Sequence, residues 1–225
     1  MTDFSASTDS TQKKEILSSE PLVYTISKFI DHDTCDHFIK KAKPSLGTAL
    51  VSRDIKGSTG GSASQGRTNT NCWLAHNSDS TTMKAAINIA IEVGLPIKNA
   101  ESFQVVHYDT EQKYNAHFDG FIKDDSDKYK RLLKKGGQRM ITALVYLNDV
   151  EEGGHTSFPK LNINVTPEKG KLLVFHNCYE GTTKRHPHSL HAGNPPTKGE
   201  KYAFNLWFRE QDYKSVYEYN AADFT

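Results

Sequence analysis

Lys201-Tyr202-Ala203-Phe204-Asn205-Leu206-Trp207-Phe208-Arg209 is the stretch on which the fold turns. Successive side chains of a strand point to opposite faces. Tyr202, Phe204, Leu206 and Phe208 then form a greasy face suited to packing, and Lys201, Ala203, Asn205, Trp207 and Arg209 form a face suited to a polar cavity. Ser102 to Tyr108, Met140 to Leu147 and Lys171 to Phe175 are further aromatic or β-branched runs, separated by Gly, Pro, Asn and Asp. Upstream, Leu22 to Ile30 reads as a strand running into a turn. Asp31 or Asp33 can cap a following helix that continues through Lys41, with Phe38 and Ile39 facing the core and Pro44 ending it. A second helix follows Asp79 or Ser80. Its apolar stripe of Met83, Ala86, Ile87, Ala90 and Ile91 reads as packing, and Gly94 and Pro96 stop it. Two helices followed by many short strands predict a mainly β, α+β architecture: a barrel or sandwich with flanking helices.

A chain of 225 residues suits one domain with a sizeable core. Residues 1–19 are rich in Ser, Thr, Asp and Lys and read as a flexible tail, leaving 20–225 as the domain. Residues 56–70, with Gly57, Gly60, Gly61 and Gly66, read as a mobile loop. The formal net charge is +1, so no overall field recruits nucleic acid or a membrane surface. The basic cluster of Lys128, Lys130, Arg131, Lys134 and Lys135 reads as a solvated loop. Cys35, Cys72 and Cys178 form no Cys-x-x-Cys pair and are odd in number, which argues against a zinc ribbon or a disulfide framework. No signal peptide and no apolar run of roughly 18 residues is visible, so a cytoplasmic, membrane-free setting is expected.

The chemistry-bearing pattern is His117-Phe118-Asp119. At i and i+2 in a strand, an imidazole and a carboxylate can reach one metal. Two histidines and one carboxylate on one face of an octahedron leave three positions open, the arrangement of non-haem iron(II) oxygenases. A lone His-x-Asp also occurs as an ordinary hydrogen-bonded surface pair. Lys201 adds weight, ten residues beyond His191. A Lys in a polar cavity needs an anionic partner, which a bound dicarboxylate would supply. The plain alternative is a Lys exposed at a strand start.

Four ordered motifs resemble the prolyl 4-hydroxylase family, in particular its small single-domain members. They are His117-Phe118-Asp119, Gly136-Gly137-Gln138-Arg139, the run Tyr146 to Pro159 containing Gly153-Gly154-His155-Thr156, and Ser189-Leu190-His191-Ala192-Gly193 with Lys201 and Trp207 at the family's offsets. The helix carrying Cys35-Asp36-His37 resembles the family's opening segment, and the likeness runs from about Pro21 to Arg209. It implies a double-stranded β-helix (jelly roll) core. It also implies that His117, Asp119 and His191 bind Fe(II), and that Lys201, Tyr108, Thr156 and Trp207 bind 2-oxoglutarate. Tyr114, Arg139, Arg67 and Arg209 are implied on the substrate side. The implied reaction uses O2, releases succinate and CO2, and hydroxylates a proline-containing peptide or protein at C4, with L-ascorbate as reductant. Three positions depart from the family: His155 where Glu is common, Asn69 where Arg-Thr is usually followed by Ser, and Arg209 where several relatives carry His. Other readings are a lysyl or other side-chain hydroxylase on the same fold, or a non-catalytic peptide-binding module. A zinc hydrolase lacks support, since no His-Glu-x-x-His is present.

Overall fold

A computed structural model describes residues 12–52, 61–124 and 126–213. Twelve strands carry the architecture: β1 (Lys14–Ser19), β2 (Leu22–Ile26), β3 (Gly47–Thr48), β4 (Thr70–Leu74), β5 (Phe103–Tyr108), β6 (Tyr114–His117), β7 (Arg139–Tyr146), β8 (Thr156–Phe158), β9 (Ile163–Val165), β10 (Leu172–His176), β11 (His191–Gly193) and β12 (Lys201–Arg209). The large sheet has eight strands in the order β1-β2-β10-β7-β12-β5-β4-β3, and the small sheet four in the order β9-β8-β11-β6. Neighbours in both sheets are antiparallel. Three α-helices accompany them: α1 (His32–Ala42), α2 (Ser80–Val93) and α3 (Asp127–Leu133). This is the expected jelly-roll arrangement of two facing sheets with helices outside. No helix among the described residues is long and apolar enough to cross a membrane.

The alternation of β12 divides the interior in two. Tyr202, Phe204, Leu206 and Phe208 pack with α1 and α2 in one apolar cluster, joined by Ile141, Ala143 and Val145 of β7. Ala203 belongs to a second cluster between the sheets, with Val106, Tyr108, Tyr146, Phe158 and Phe175. Phe38 of α1 meets Phe103 and Phe204 with ring centroids 4.9 and 4.6 Å apart, which fixes α1 on the large sheet.

Local signals explain the helix limits. Asp31 Oδ1 accepts the Thr34 N–H at 2.7 Å and starts α1. Asp79 and Thr82 form a capping box at α2, and Gly94 closes that helix at φ +69°. Asp79 also accepts from Lys41 at 2.8 Å, which ties the two helices together.

Two expectations are corrected. Residues 14–19 are not tail: they form edge strand β1, paired with β2. An edge strand needs backbone partners more than apolar side chains, so its polar composition misleads. Lys14 anchors it by bonding Glu92 at 2.8 Å and lying 3.9 Å from the Tyr24 ring centroid. Residues 1–11 of the expected tail, and 56–60 of the Gly-rich loop, lie outside the described residues. The stripe assigned to α2 is rotated: Thr82, Ala85, Ala86, Ile89 and Ala90 are buried, while Ile87 and Ile91 are 42% and 62% exposed. The helix is apolar on most sides, so spacing alone leaves its phase open; the close-packed sheet side takes the small residues.

The corrected phase is testable by urea unfolding. Ile89→Ala is expected to cost about 2–5 kcal/mol, whereas Ile91→Ala should stay within about 0.5 kcal/mol.

Candidate active site

Strand register assembles the site. β11 and β6 pair with His191 opposite His117, so the two imidazoles share a face with centroids 4.3 Å apart. Asp119 follows two residues after His117 and is 6% exposed. One ligand atom from each of His117, Asp119 and His191 lies within 4.8 Å of the others, so the trio could hold a metal ion.

Hydrogen bonds fix which atoms are free. His117 Nδ1 lies 2.9 Å from the Asn115 carbonyl and His191 Nδ1 lies 3.0 Å from the Ser189 carbonyl. A carbonyl only accepts, so each Nδ1 carries the proton and each Nε2 keeps its lone pair for a metal. Burial, reinforced by neighbouring His191, pushes the His117 pKa well down, which keeps the ring neutral. Burial alone would raise the Asp119 pKa, but His191, His117 and Arg139 hold it below the usual carboxylate range.

Asp119 Oδ2 accepts from Thr142 Oγ1 and from Trp207 Nε1, each at 2.8 Å. Thr142 and Trp207 are register partners on β7 and β12, so the sheet delivers both donors to one oxygen. Asn177 Nδ2 donates to Thr142 Oγ1 at 2.9 Å. That amide nitrogen can only donate, so the Thr142 proton must point at Asp119. Oδ2 is thereby occupied, and Oδ1 is left as the oxygen available to a metal.

Lys201 sits opposite Tyr108 in the β12–β5 ladder and is 2% exposed. Among the described residues no carboxylate pairs with it; its ammonium lies 5.2 and 5.4 Å from the Tyr108 and Tyr146 ring centroids. Burial pushes its pKa down to about 7. A buried lysine that faces a cavity, with no carboxylate partner among the described residues, could receive an anion. Thr156 lies alongside, and its hydroxyl accepts from Tyr146 Oη at 2.8 Å. Gly193 permits this crowding, since a Cβ there would come within 2.9 Å of Tyr108 Oη.

A cavity of about 620 Å³ joins these groups. Tyr114 stacks on His117 with centroids 3.5 Å apart, and the Arg67 guanidinium lies over Tyr114 at 4.5 Å. Arg67 also donates to Asn69 Oδ1, the Leu50 carbonyl and Gln104 Oε1. Asn69, the departure next to this arginine, is fully buried and orients it. Arg139 lies 3.8 Å from the Trp207 ring and forms a two-point pair with Glu101, at 2.6 and 2.8 Å. Phe121, Ile122, Asp124, Tyr129 and Leu132 bring the charged segment around α3 into the wall.

One expected substrate residue is misplaced. Arg209 does not line the cavity: it is 2% exposed and donates to Glu101 Oε1 at 2.6 Å and to the Gly137 carbonyl at 2.8 Å. It sits on the cavity parity of β12, but the ladder ends there with a register irregularity, and Glu101 captures it. His155 does not line the cavity either. The sequence reading missed Thr142, Asn177 and Glu101. Thr142 was findable as a polar residue on the inward parity of an apolar strand. Asn177 and Glu101 gave no signal, because their partners are distant in sequence.

The sequence model for the 2OG-Fe(II) oxygenase superfamily matches residues 103–209. Prolyl 4-hydroxylase 5 of Arabidopsis thaliana is 32% identical over 220 residues, covering 89% of this chain and 72% of that protein. A protein of Acanthamoeba polyphaga mimivirus is 45% identical over 126 residues, covering 56% of this chain and 52% of the relative, so the match spans about half that relative's length. Among solved structures, viral collagen prolyl hydroxylase vCPH from Paramecium Bursaria Chlorella virus-1, in complex with 2OG, superposes with a TM-score of 0.61 at 28% identity. That match covers 82% of this chain and 94% of the other.

The role of Thr142 can be measured by titrating the protein with Mn(II). Thr142→Val keeps the side-chain shape and removes the donor to Asp119, so metal affinity should fall about 10- to 100-fold. Unchanged affinity would remove Thr142 from the site.

Proposed function

The chain belongs to the prolyl 4-hydroxylase family of 2OG-Fe(II) oxygenases, and from that premise we propose that it hydroxylates proline in a peptide or protein, with 2-oxoglutarate as cosubstrate. The observation that carries this reading is the pairing, in one cavity, of a buried lysine that has no carboxylate partner among the described residues with a two-His, one-carboxylate cluster. His117 Nε2, His191 Nε2 and Asp119 Oδ1 would hold Fe(II), which when bound would supply the oxidation that couples 2-oxoglutarate decarboxylation to oxygen insertion. Dioxygen is the expected oxidant and L-ascorbate the expected reductant.

The remaining work falls to the chain's own groups. Lys201 binds the distal carboxylate of the cosubstrate as a charge-assisted contact at a buried position. Thr156 Oγ1 already accepts from Tyr146, so its own proton is free to donate to that carboxylate. Tyr108 flanks the same position as a second hydroxyl donor. Thr142 and Trp207 restrict Asp119 to one metal-facing oxygen, which preserves open positions beside it. Trp207 therefore serves the metal ligand, with the cosubstrate end assigned to the other three. Tyr114, Arg67 and Arg139 form the wall against which the peptide is oriented.

Two outcomes check this reading. With Fe(II), 2-oxoglutarate and ascorbate, a panel of proline-containing peptides should gain one oxygen atom on proline by mass spectrometry. Asp119→Ala should abolish that gain while circular dichroism shows an intact fold; oxygen on lysine instead would replace the target. Cosubstrate binding should also depend on pH. Above about pH 7 the Lys201 amine is largely neutral in the free protein and must take up a proton to meet the dicarboxylate. The calorimetric affinity for 2-oxoglutarate, in protein loaded with Mn(II), should therefore weaken as pH rises from 7, approaching about tenfold per pH unit. Lys201→Met should remove that slope along with most of the binding.

A further inference from the structure

Among the described residues that line the cavity, four basic side chains, Arg67, Arg139, Arg185 and Lys201, face two carboxylates, Asp119 and Asp124. A divalent metal and a dianionic cosubstrate cancel one another, so the excess survives loading of the site. Glu101 neutralises Arg139 from behind. Lys201 is committed to the cosubstrate. Arg67 spends its donors on neutral acceptors within the wall.

Arg185 differs from these. Its guanidinium lies 3.7 Å from the Phe118 ring centroid, between ligands His117 and Asp119 in sequence, and makes no hydrogen bond or ion pair to any described residue. Burial lowers its pKa, the mark of a partly desolvated charge without a carboxylate, yet an arginine stays cationic at every physiological pH. It is also held firmly. The backbone bridges Cys178 to Arg185, and the His186 N–H donates to the Asn177 carbonyl at 2.8 Å. Gly120 leaves room for its stem, since a Cβ there would come 3.1 Å from Arg185 Cγ. Cation and ring thus form a preset feature beside the metal-ligand cluster.

The rim supplies the other half of a recognition surface. Among the described residues six large hydrophobics are markedly exposed, and three of them, Leu50, Trp73 and Ile122, line this cavity. Apolar groups concentrated at a mouth mark an interaction site.

We propose that Arg185 is a specificity-determining residue that selects substrates carrying an acidic side chain close to the target proline. The inference rests on the peptide hydroxylase reading of the same cavity and adds the chemical class of the peptide: acidic next to proline, with apolar residues against the rim. A guanidinium stacked on an aromatic ring and free along its edge can take a carboxylate with two parallel hydrogen bonds. A neutral or basic neighbour would leave that charge partly desolvated and unpaired.

The test moves a single Glu, Gln or Lys through the positions flanking the proline of one host peptide and measures kcat/KM for hydroxylation. At one or two positions Glu should exceed Gln by about fivefold, mainly through KM, and the advantage should shrink with salt. Arg185→Gln should bring the Glu-to-Gln ratio close to one, Arg185→Glu should turn the preference toward Lys, and Arg185→Lys should retain part of it. Hydroxylation of all peptides with no charge preference would overturn the inference and leave the hydroxylase reading standing. So would a Glu preference that persists in Arg185→Gln. No hydroxylation of any peptide would overturn both.

Discussion

The ladder that holds β12 between β5 and β7 sets nearly everything else. It puts Lys201 opposite Tyr108 and Trp207 opposite Thr142. One pair lines the cavity, and the other delivers two donors to Asp119. The reverse side of the strand is Phe204 and its neighbours, locked against α1 by the Phe38–Phe103–Phe204 contacts. A shift of one residue would turn the lysine into the aromatic core and the phenylalanines into the cavity, costing both at once. Packing on one face therefore enforces chemistry on the other.

From Asp119 the constraints run outward in two directions. Thr142 and Asn177 lead to the segment before His191, because the Asn177 carbonyl also accepts the His186 N–H, and His191 itself is oriented by the Ser189 carbonyl. Trp207 leads the other way, to Arg139 stacked on it and to Glu101, which also takes Arg209. Glu101 would be unfavourable as a buried carboxylate, but two guanidiniums hold its pKa below the usual range. The His117–Asp119–His191 cluster, which could hold a metal, and the proposed peptide wall share one polar network, so a change at the wall reaches Asp119 through packed groups.

The departures from the family's motifs gain physical meaning in this setting. Asn69 keeps an acceptor for Arg67 while donating to the Thr70 carbonyl. Arg209 adds a second cation to Glu101 and withdraws from the cavity. Neither touches His117, Asp119, His191 or Lys201. Each acts from behind the wall, Asn69 on Arg67 and Arg209 on Glu101, the partner of Arg139.

A mainly β architecture with flanking helices, and helix starts near Asp31 or Asp33 and near Asp79 or Ser80, were legible from strand parity and capping oxygens. The jelly-roll topology and the grouping of His117, Asp119, His191 and Lys201 came only from the resemblance to the prolyl 4-hydroxylase family. The structure selects Asp31 and Asp79 as the caps. The phase of α2 and the edge strand at Lys14–Ser19 were not legible, because an all-round apolar helix and a polar edge strand carry no local sign of what they pack against. Thr142 hinted at itself by parity; Asn177, Glu101 and the free edge of Arg185 did not. Their roles come from partners tens of residues distant, such as Asn177 with Thr142 and Glu101 with Arg209. Sequence determined which groups the chain owns. Only the tertiary structure decided which oxygen of Asp119 is free, that Arg209 is held by Glu101, and that Lys201 and Arg185 have no carboxylate partner among the described residues, because those outcomes depend on how two sheets and a helical layer meet.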